Sequence, residues 1–476
     1  MLKQSALRVA FVVAFVLLPV LGACAQPTPQ IVVQTQVVEK PVVQTQVVEK
    51  PVVQTQVVQQ TVVVPQVQTQ IVQQTVAPTA KTIVTIAYNG YFNKTFGPAD
   101  PPIKAIQAEV AKKYPDIQVV LNVMPYEGGP WHDTYVAWFQ GQDPSMDLLG
   151  VSNYWLPEFA QAGWLTPLDS LVSKDIISHL NPAFVQAFSY KGQIMGLGPW
   201  WGGIGGLYYR KDLLEKYNLQ PPKTYDELVK DAKTIMAGEP GMSGWTWPAL
   251  KDQVLVNQWV QYMGGFGAKA FDDSGKCAMN SAQGVAALKF MKGLIDSGVT
   301  PKEALTWKEE ESLVRFASGT AIFHSGRQDM TFWLDDPKQS KVGGKWGFIP
   351  QPADPNGHPS GYLEAWAFSI NKYSAHPDAA AKVLEVMFDF NVQKAFNLSQ
   401  GPLQANMDIY KDPDVVKNNP NMPLIQPVLD TAVILPTPKF ADLSLILEEE
   451  LSSALTGSKT PEVALNDSCQ RIDALK

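Results

Sequence analysis

The sequence predicts an α/β protein with largely parallel sheets, and three observations carry that expectation. β-Branched runs alternate with segments whose apolar residues recur at helical spacing. Cap and breaker residues separate the two kinds of segment. The 476-residue chain is 45% hydrophobic and 10% aromatic, enough to bury large cores in more than one domain. In order, 83–88 (IVTIAY) reads as a strand. Asp100 can cap a helix that starts at Pro101 and places Ile103, Ile106, Val110 and Tyr114 on one face, with Pro115 ending it. Residues 117–124 return as a second strand and 147–152 as a third. Further on, Thr224 and Glu227 stand at capping-box spacing. Leu443, Ile446, Leu447, Leu451 and Leu455 form a helical stripe closed by Gly457.

The N-terminus is of a different kind. Lys3 and Arg8 precede a run, 9–21, that is apolar except for Pro19, and Leu21-Gly22-Ala23-Cys24 closes it. That order reads as a lipoprotein secretory signal over 1–23, cut before Cys24, with the thiol then acylated. One lipid tethers a protein to a membrane without spanning it. From 24 to 82 the decamer PVVQTQVVEK (41–50) recurs almost unchanged at 31–40 and 51–60. Its paired valines face both sides of any strand, so the stretch reads as a tether with a contour of at most about 200 Å. The same valines, with few charges between them, invite pairing between copies.

Composition excludes several functions for the remainder. The chain carries 38 basic and 45 acidic residues, a net charge of −7, with no Lys/Arg-rich run, so nucleic acid is not an expected partner. His132, His179, His324, His358 and His376 are scattered without metal-ligand spacing, so neither metal nor cofactor is expected. Ser243 lacks the second glycine of a nucleophile elbow. The cluster Gly202-Gly203-Ile204-Gly205-Gly206 lacks a Lys-Ser/Thr ending and leads into a strand, which points to close backbone approach rather than phosphate binding. Cys277 and Cys469 could pair in an exported protein or stay as free buried thiols. Among 13 tryptophans, Trp155, Trp200, Trp201, Trp245, Trp247 and Trp366 sit beside Gly, Pro or polar residues. An aromatic-lined, polar-dotted cleft of that kind suits carbohydrate.

Along nearly all of the globular part, the passages 147–149, 153–169 (NYWLPEFAQAGWLTPLD), 207–216 (LYYRKDLLEK), 222–228 (PKTYDEL), 316–323 (FASGTAIF), 408–415 (DIYKDPDV) and 455–465 (LTGSKTPEVAL) occur in one order. Taken together they resemble the family 1 extracellular solute-binding proteins of ABC importers, in particular the maltose/trehalose-type branch. The resemblance implies a two-lobed, type II periplasmic-binding-protein-like fold. Its lobes would be discontinuous, 83–200 with 363–405 and 201–362 with 406–476, joined by crossings near 199–203, 361–366 and 401–406.

It also implies a ligand cleft between the lobes. Matching positions are Asn89 at the end of the first strand, Ser152, Asn153 and Trp155 at the turn ending in Trp155, Trp200 and Trp201 at a crossing, and Trp247 in an aromatic turn. Arg327 and the strand residues Tyr362, Glu364 and Trp366 complete the set. Ser152 replaces an Asp common in relatives, and 325–329 (SGRQD) replaces a Gly-x-Trp, so the particular sugar is left open. The function implied is capture without chemistry: a di- or oligosaccharide is held between the lobes and passed to two permease subunits with cytoplasmic ATPases. The protein would act as a lipid-anchored monomer on the outer face of the cytoplasmic membrane. A glycerophosphodiester or sugar phosphate is the alternative ligand, with Arg327 as its anchor.

Overall fold

The structure, a computed structural model, describes residues 43–46, 60–63, 80–89, 101–124, 128–199, 202–400, 404, 406–435 and 437–475. The expected signal, Cys24 and most of the tether lie outside the described residues. The chain divides into two units, 1–80 and 81–476. In the first, Val43–Gln46 and Gln60–Val63 pair antiparallel, with Thr45 opposite Thr61. Two pieces of the valine-rich region thus pair within one chain.

In the second unit the 83–88 run becomes the strand Thr82–Asn89, in a five-stranded sheet. Ile117–Met124 and Leu148–Ser152 flank it, both parallel to it. Trp366–Asn371 joins Leu148–Ser152 from the opposite direction and carries Leu165–Thr166 at the edge. The second sheet is built around Gly203–Arg210, which is antiparallel to Ala321–Arg327, Trp346–Ile349 and Gly361–Glu364. Ser243–Thr246 and Ala432–Val433 add parallel edges. The sheets are therefore mixed, not largely parallel as the alternation suggested. The reason is connectivity: Trp366–Asn371 returns from the second sheet and enters the first running backwards.

Side chains alternate across the Gly203–Arg210 strand. Ile204 and Tyr208 join a core that continues to Val84, Ile86 and Phe368 of the first sheet, while Leu207 joins a second core with Trp245, Tyr262 and Leu447. The helices form where the sequence marks them. Ile103, Ile106 and Val110 are buried on Pro101–Lys113. Thr224 accepts from the Glu227 amide while Glu227 accepts from the Thr224 amide, so two free donors at the start of Tyr225–Gly238 are satisfied reciprocally. All five stripe leucine and isoleucine residues of Phe440–Leu455 are buried, and Gly457 takes the left-handed φ of +83° that ends the helix.

Cys277 and Cys469 form a disulfide, with Cα atoms 5.1 Å apart and a sequence separation of 192. The turn before Cys277 lies against the helix Pro461–Asp473, where the Cys277 amide donates to Asp473 at 2.9 Å. A bond that closes so long a loop removes much chain entropy from the unfolded state. Replacing both cysteines by serine is expected to lower unfolding free energy by about 2–4 kcal/mol. Denaturant titration of the oxidised protein and the double variant checks this, and equal midpoints would contradict it.

Candidate functional site

The site is built where the chain passes between the two sheets. Leu197 bridges Phe368 of the first sheet through two backbone hydrogen bonds of 3.0 and 3.1 Å. Six residues later Gly203 is paired with Glu364, and Ile204 with Leu363, in the second sheet. The outgoing and returning strands therefore run side by side. This contact requires the glycine cluster: a Cβ on Gly202 would stand 1.7 Å from the Glu364 carbonyl oxygen, and one on Gly203 would stand 1.9 Å from Arg327 Cδ. Of the third expected passage, residues 401–403 and 405 lie outside the described set. Asn406 bridges Leu180, Lys394 pairs with Asp412 and Asp414, and the chain reaches the second sheet with the helix Met422–Leu429.

A charged cluster sits on these strands. The Arg327 guanidinium lies 3.1 Å from Asp329, 3.5 Å from Glu309 and 3.6 Å from Glu364, with 20% of its side chain exposed. Glu364 accepts from Asn257 at 3.3 Å, and Asn257 accepts from the Tyr154 hydroxyl at 2.8 Å. Three carboxylates around one cation leave negative charge in excess. Glu309 shows the result: burial pushes its carboxyl up to about 7, Arg327 opposes the rise, and Asp329 and Glu364 add to it.

Beside the cluster stands a group of three tryptophans. Trp131 and Trp366 are stacked, 4.5 Å between centroids and 5° from parallel. Trp155 meets both edge-on, at 5.2 Å from each. Trp131 is fully buried behind Trp366, whereas Trp155 and Trp366 keep part of their surface open. His132 extends the group, 3.0 Å from Glu158 and stacked on Phe159. Glu364 ends a strand of the second sheet and Trp366, two residues on, begins one of the first. The tryptophan group and the charged cluster therefore stand on either side of the crossing at Ala365.

The expected site residues fall into three sets. Trp155, Arg327, Glu364 and Trp366 are each partly exposed and belong to the charged cluster or the tryptophan group. Ser152, Asn153, Trp247 and Tyr362 are buried and otherwise engaged. Trp247 is core, its indole N–H donating to Thr300 at 3.0 Å. Ser152 accepts from the Tyr154 amide, the side chain of Asn153 bonds the backbone of 363 and 365, and Tyr362 points its hydroxyl at Glu309, 3.5 Å away. Trp200, Trp201 and the side chain of Asn89 lie outside the described residues. Sequence reasoning missed Trp131, Tyr154, Asn257 and Glu309. Trp131 did carry a signal, the Gly-Gly-Pro that precedes it. Glu309 carried none that separates it from Glu310 and Glu311.

Residues 93–389 match the family described as bacterial extracellular solute-binding protein. The chain belongs to that family. A "Probable ABC transporter-binding protein" of Deinococcus radiodurans is 31% identical over 308 residues, covering 62% of this chain and 72% of its own length. Maltose-bound MalE3 of T. maritima matches at 30% identity with a TM-score of 0.70, covering 83% of this chain and 100% of that one. A "Probable amino-acid ABC transporter periplasmic-binding protein" of Sinorhizobium fredii is 27% identical over 286 residues, 58% of this chain and 62% of that protein. The protein is thus a solute-binding protein of an ABC transporter, with a two-lobed type II fold, and not an enzyme. Among the described residues no helix is long and apolar enough to cross a membrane.

The Glu309 carboxyl gives a signed expectation. Its folded-state value of about 7 lies above the ordinary 4.5. Its contribution to stability is therefore complete below about pH 4.5 and is lost as pH rises through about 7. Glu309→Gln keeps the neutral form throughout. The melting temperature of the variant minus that of the native protein is expected to grow between about pH 5 and pH 8. Calorimetry across that range checks this, and a difference independent of pH would contradict it.

Proposed function

We propose that this solute-binding protein captures an uncharged saccharide of one or more rings between its lobes and delivers it to an ABC importer. The observation that carries the reading is the Trp131, Trp155 and Trp366 group beside the Arg327 cluster. Trp131 stacks on one face of the Trp366 ring, and in this reading the opposite face receives the ligand. The flat C–H face of a pyranose packs on such a ring. Its hydroxyls can both donate and accept, as a mixed set of carboxylates and guanidinium requires. The maltose held by MalE3 of T. maritima, with 30% identity to this chain, is consistent with that chemistry.

The same cluster argues against an anionic ligand. A phosphate, or the carboxylate of an amino acid, needs a cation free to pair with it. Arg327 is already shared by Asp329, Glu309 and Glu364, which would repel the newcomer. A glycerophosphodiester or sugar phosphate is the weaker reading for that reason. Capture then proceeds by hinge closure: ligand favours the closed form to the extent that it binds that form more tightly. Acylation of Cys24 and the valine-rich segment would keep the lobes near the permeases on the outer face of the membrane.

A thermal-shift series tests the class of ligand. A solute that binds only the folded protein raises its melting temperature with concentration. Neutral mono-, di- and oligosaccharides are expected to include one that does so, and sugar phosphates and amino acids are not. Trp366→Ala is expected to weaken that binding by at least about tenfold, near 1.4 kcal/mol, as read by isothermal titration. Shifts confined to phosphorylated compounds would transfer the assignment to them, and unchanged affinity in the variant would remove the tryptophans from the site.

A further inference from the structure

We propose that the side-chain amides of Asn153 and Gln328 are paired hinge clamps, positioning residues that couple ligand capture to lobe closure. Where a chain leaves one sheet for another, its backbone groups lose their ladder partners, yet buried groups still need them. Two side chains fill the gap. The Asn153 amide accepts from the Ala365 N–H at 2.9 Å and donates to the Leu363 carbonyl at 3.1 Å, and its own backbone N–H donates to the Ala365 carbonyl at 3.0 Å. Asn153 follows a strand of the first sheet, and Leu363 belongs to the second, so this clamp joins the lobes. Gln328 follows a strand of the second sheet. It accepts from the Ile204 N–H and donates to the Gly202 carbonyl at 2.8 Å. Asn153 is 5% exposed and Gln328 1%, so neither is open to a ligand.

Each clamp lies within two residues of a side chain that lines the cleft. Asn153 precedes Trp155 by two positions, and Gln328 follows Arg327. The segment that Asn153 grips, Leu363 to Ala365, contains Glu364 and ends next to Trp366, and the segment that Gln328 grips, Gly202 to Ile204, places Gly203 against Arg327. Force from a ligand on any of these reaches the crossing strands through one or two peptide bonds. An amide, or a neutral acid, offers a donor and an acceptor on two atoms of one planar group, as both clamps use them. An ionised carboxylate is the same shape and turns an acceptor toward a carbonyl oxygen.

This inference rests on hinge closure in the proposed function, and its first measurement needs no ligand. Spin labels carried by unnatural amino acids at Lys112 and Lys233, on helices beside the first and second sheets, would report the distance between lobes by pulsed electron resonance in the full-length protein. At neutral pH, Asn153→Asp and Gln328→Glu are each expected to shift or broaden the ligand-free distribution relative to the unchanged chain. Acidification should return the Asn153→Asp distribution to that of the unchanged chain at the same pH, because the protonated acid again donates. With maltose as the probe, both clamp variants should bind at least about tenfold more weakly. Folded variants with the native distribution would overturn the proposal, whatever their melting temperatures. If Asn153→Asp fails to fold, Gln328→Glu decides alone. Absence of maltose binding by the unchanged chain would exclude maltose as its ligand, and the ligand-free distances would still judge the clamps.

Discussion

Pairing between Gly203 and Glu364 is the contact on which the cleft and both lobes depend. A peptide chain that moves from one sheet to another must keep its backbone bonded on the way, because each buried N–H or carbonyl left alone costs about 1–3 kcal/mol. This protein meets that demand by laying the outgoing and returning strands against each other, with amides from Asn153 and Gln328 closing the remaining positions. The contact leaves no room for side chains at 202 and 203. It also delivers Arg327, Glu364 and Trp366 to one place, although they come from two different sheets.

That placement creates an electrostatic problem. Glu309, Asp329 and Glu364 converge on a single guanidinium in a partly desolvated cleft, where like charges are poorly screened. Burial is the main cause of the high proton affinity of Glu309, Arg327 opposes it, and Asp329 and Glu364 add to it. Such crowding is unfavourable for the empty protein. It becomes useful when a ligand brings hydroxyl donors, since each carboxylate can then accept a bond from the ligand. The tryptophans supply the complementary half of recognition, with Trp131 taking no exposed surface and Trp366 being held flat by it.

Position in a Gly- and Pro-bounded segment was a fair guide to aromatic residues and an incomplete one. It led to Trp155 and Trp366, which keep part of their surface open, and to Trp247, which is core with its indole N–H bonded to Thr300. Local sequence cannot separate those cases. Both environments accept a tryptophan in an irregular segment, and the difference is what packs over it from elsewhere in the chain. Asn153 illustrates the same limit. Its motif marked it as important, but the use of its amide is set by backbone groups 210 and 212 positions away.

What the sequence determined by itself was whatever depends on neighbours a few residues apart. The capping box at Thr224 and Glu227, the buried stripe of Phe440–Leu455 and its stop at Gly457, and the first three strands all follow from local spacing and backbone preference. The order of the family passages then carried the two-lobed fold. Tertiary structure alone decided the mixed strand directions, the pairing of Cys277 with Cys469 across 192 residues, and the convergence of Glu309, Arg327 and Glu364. Each of these joins segments far apart in the chain, where no local periodicity records which partner will be met.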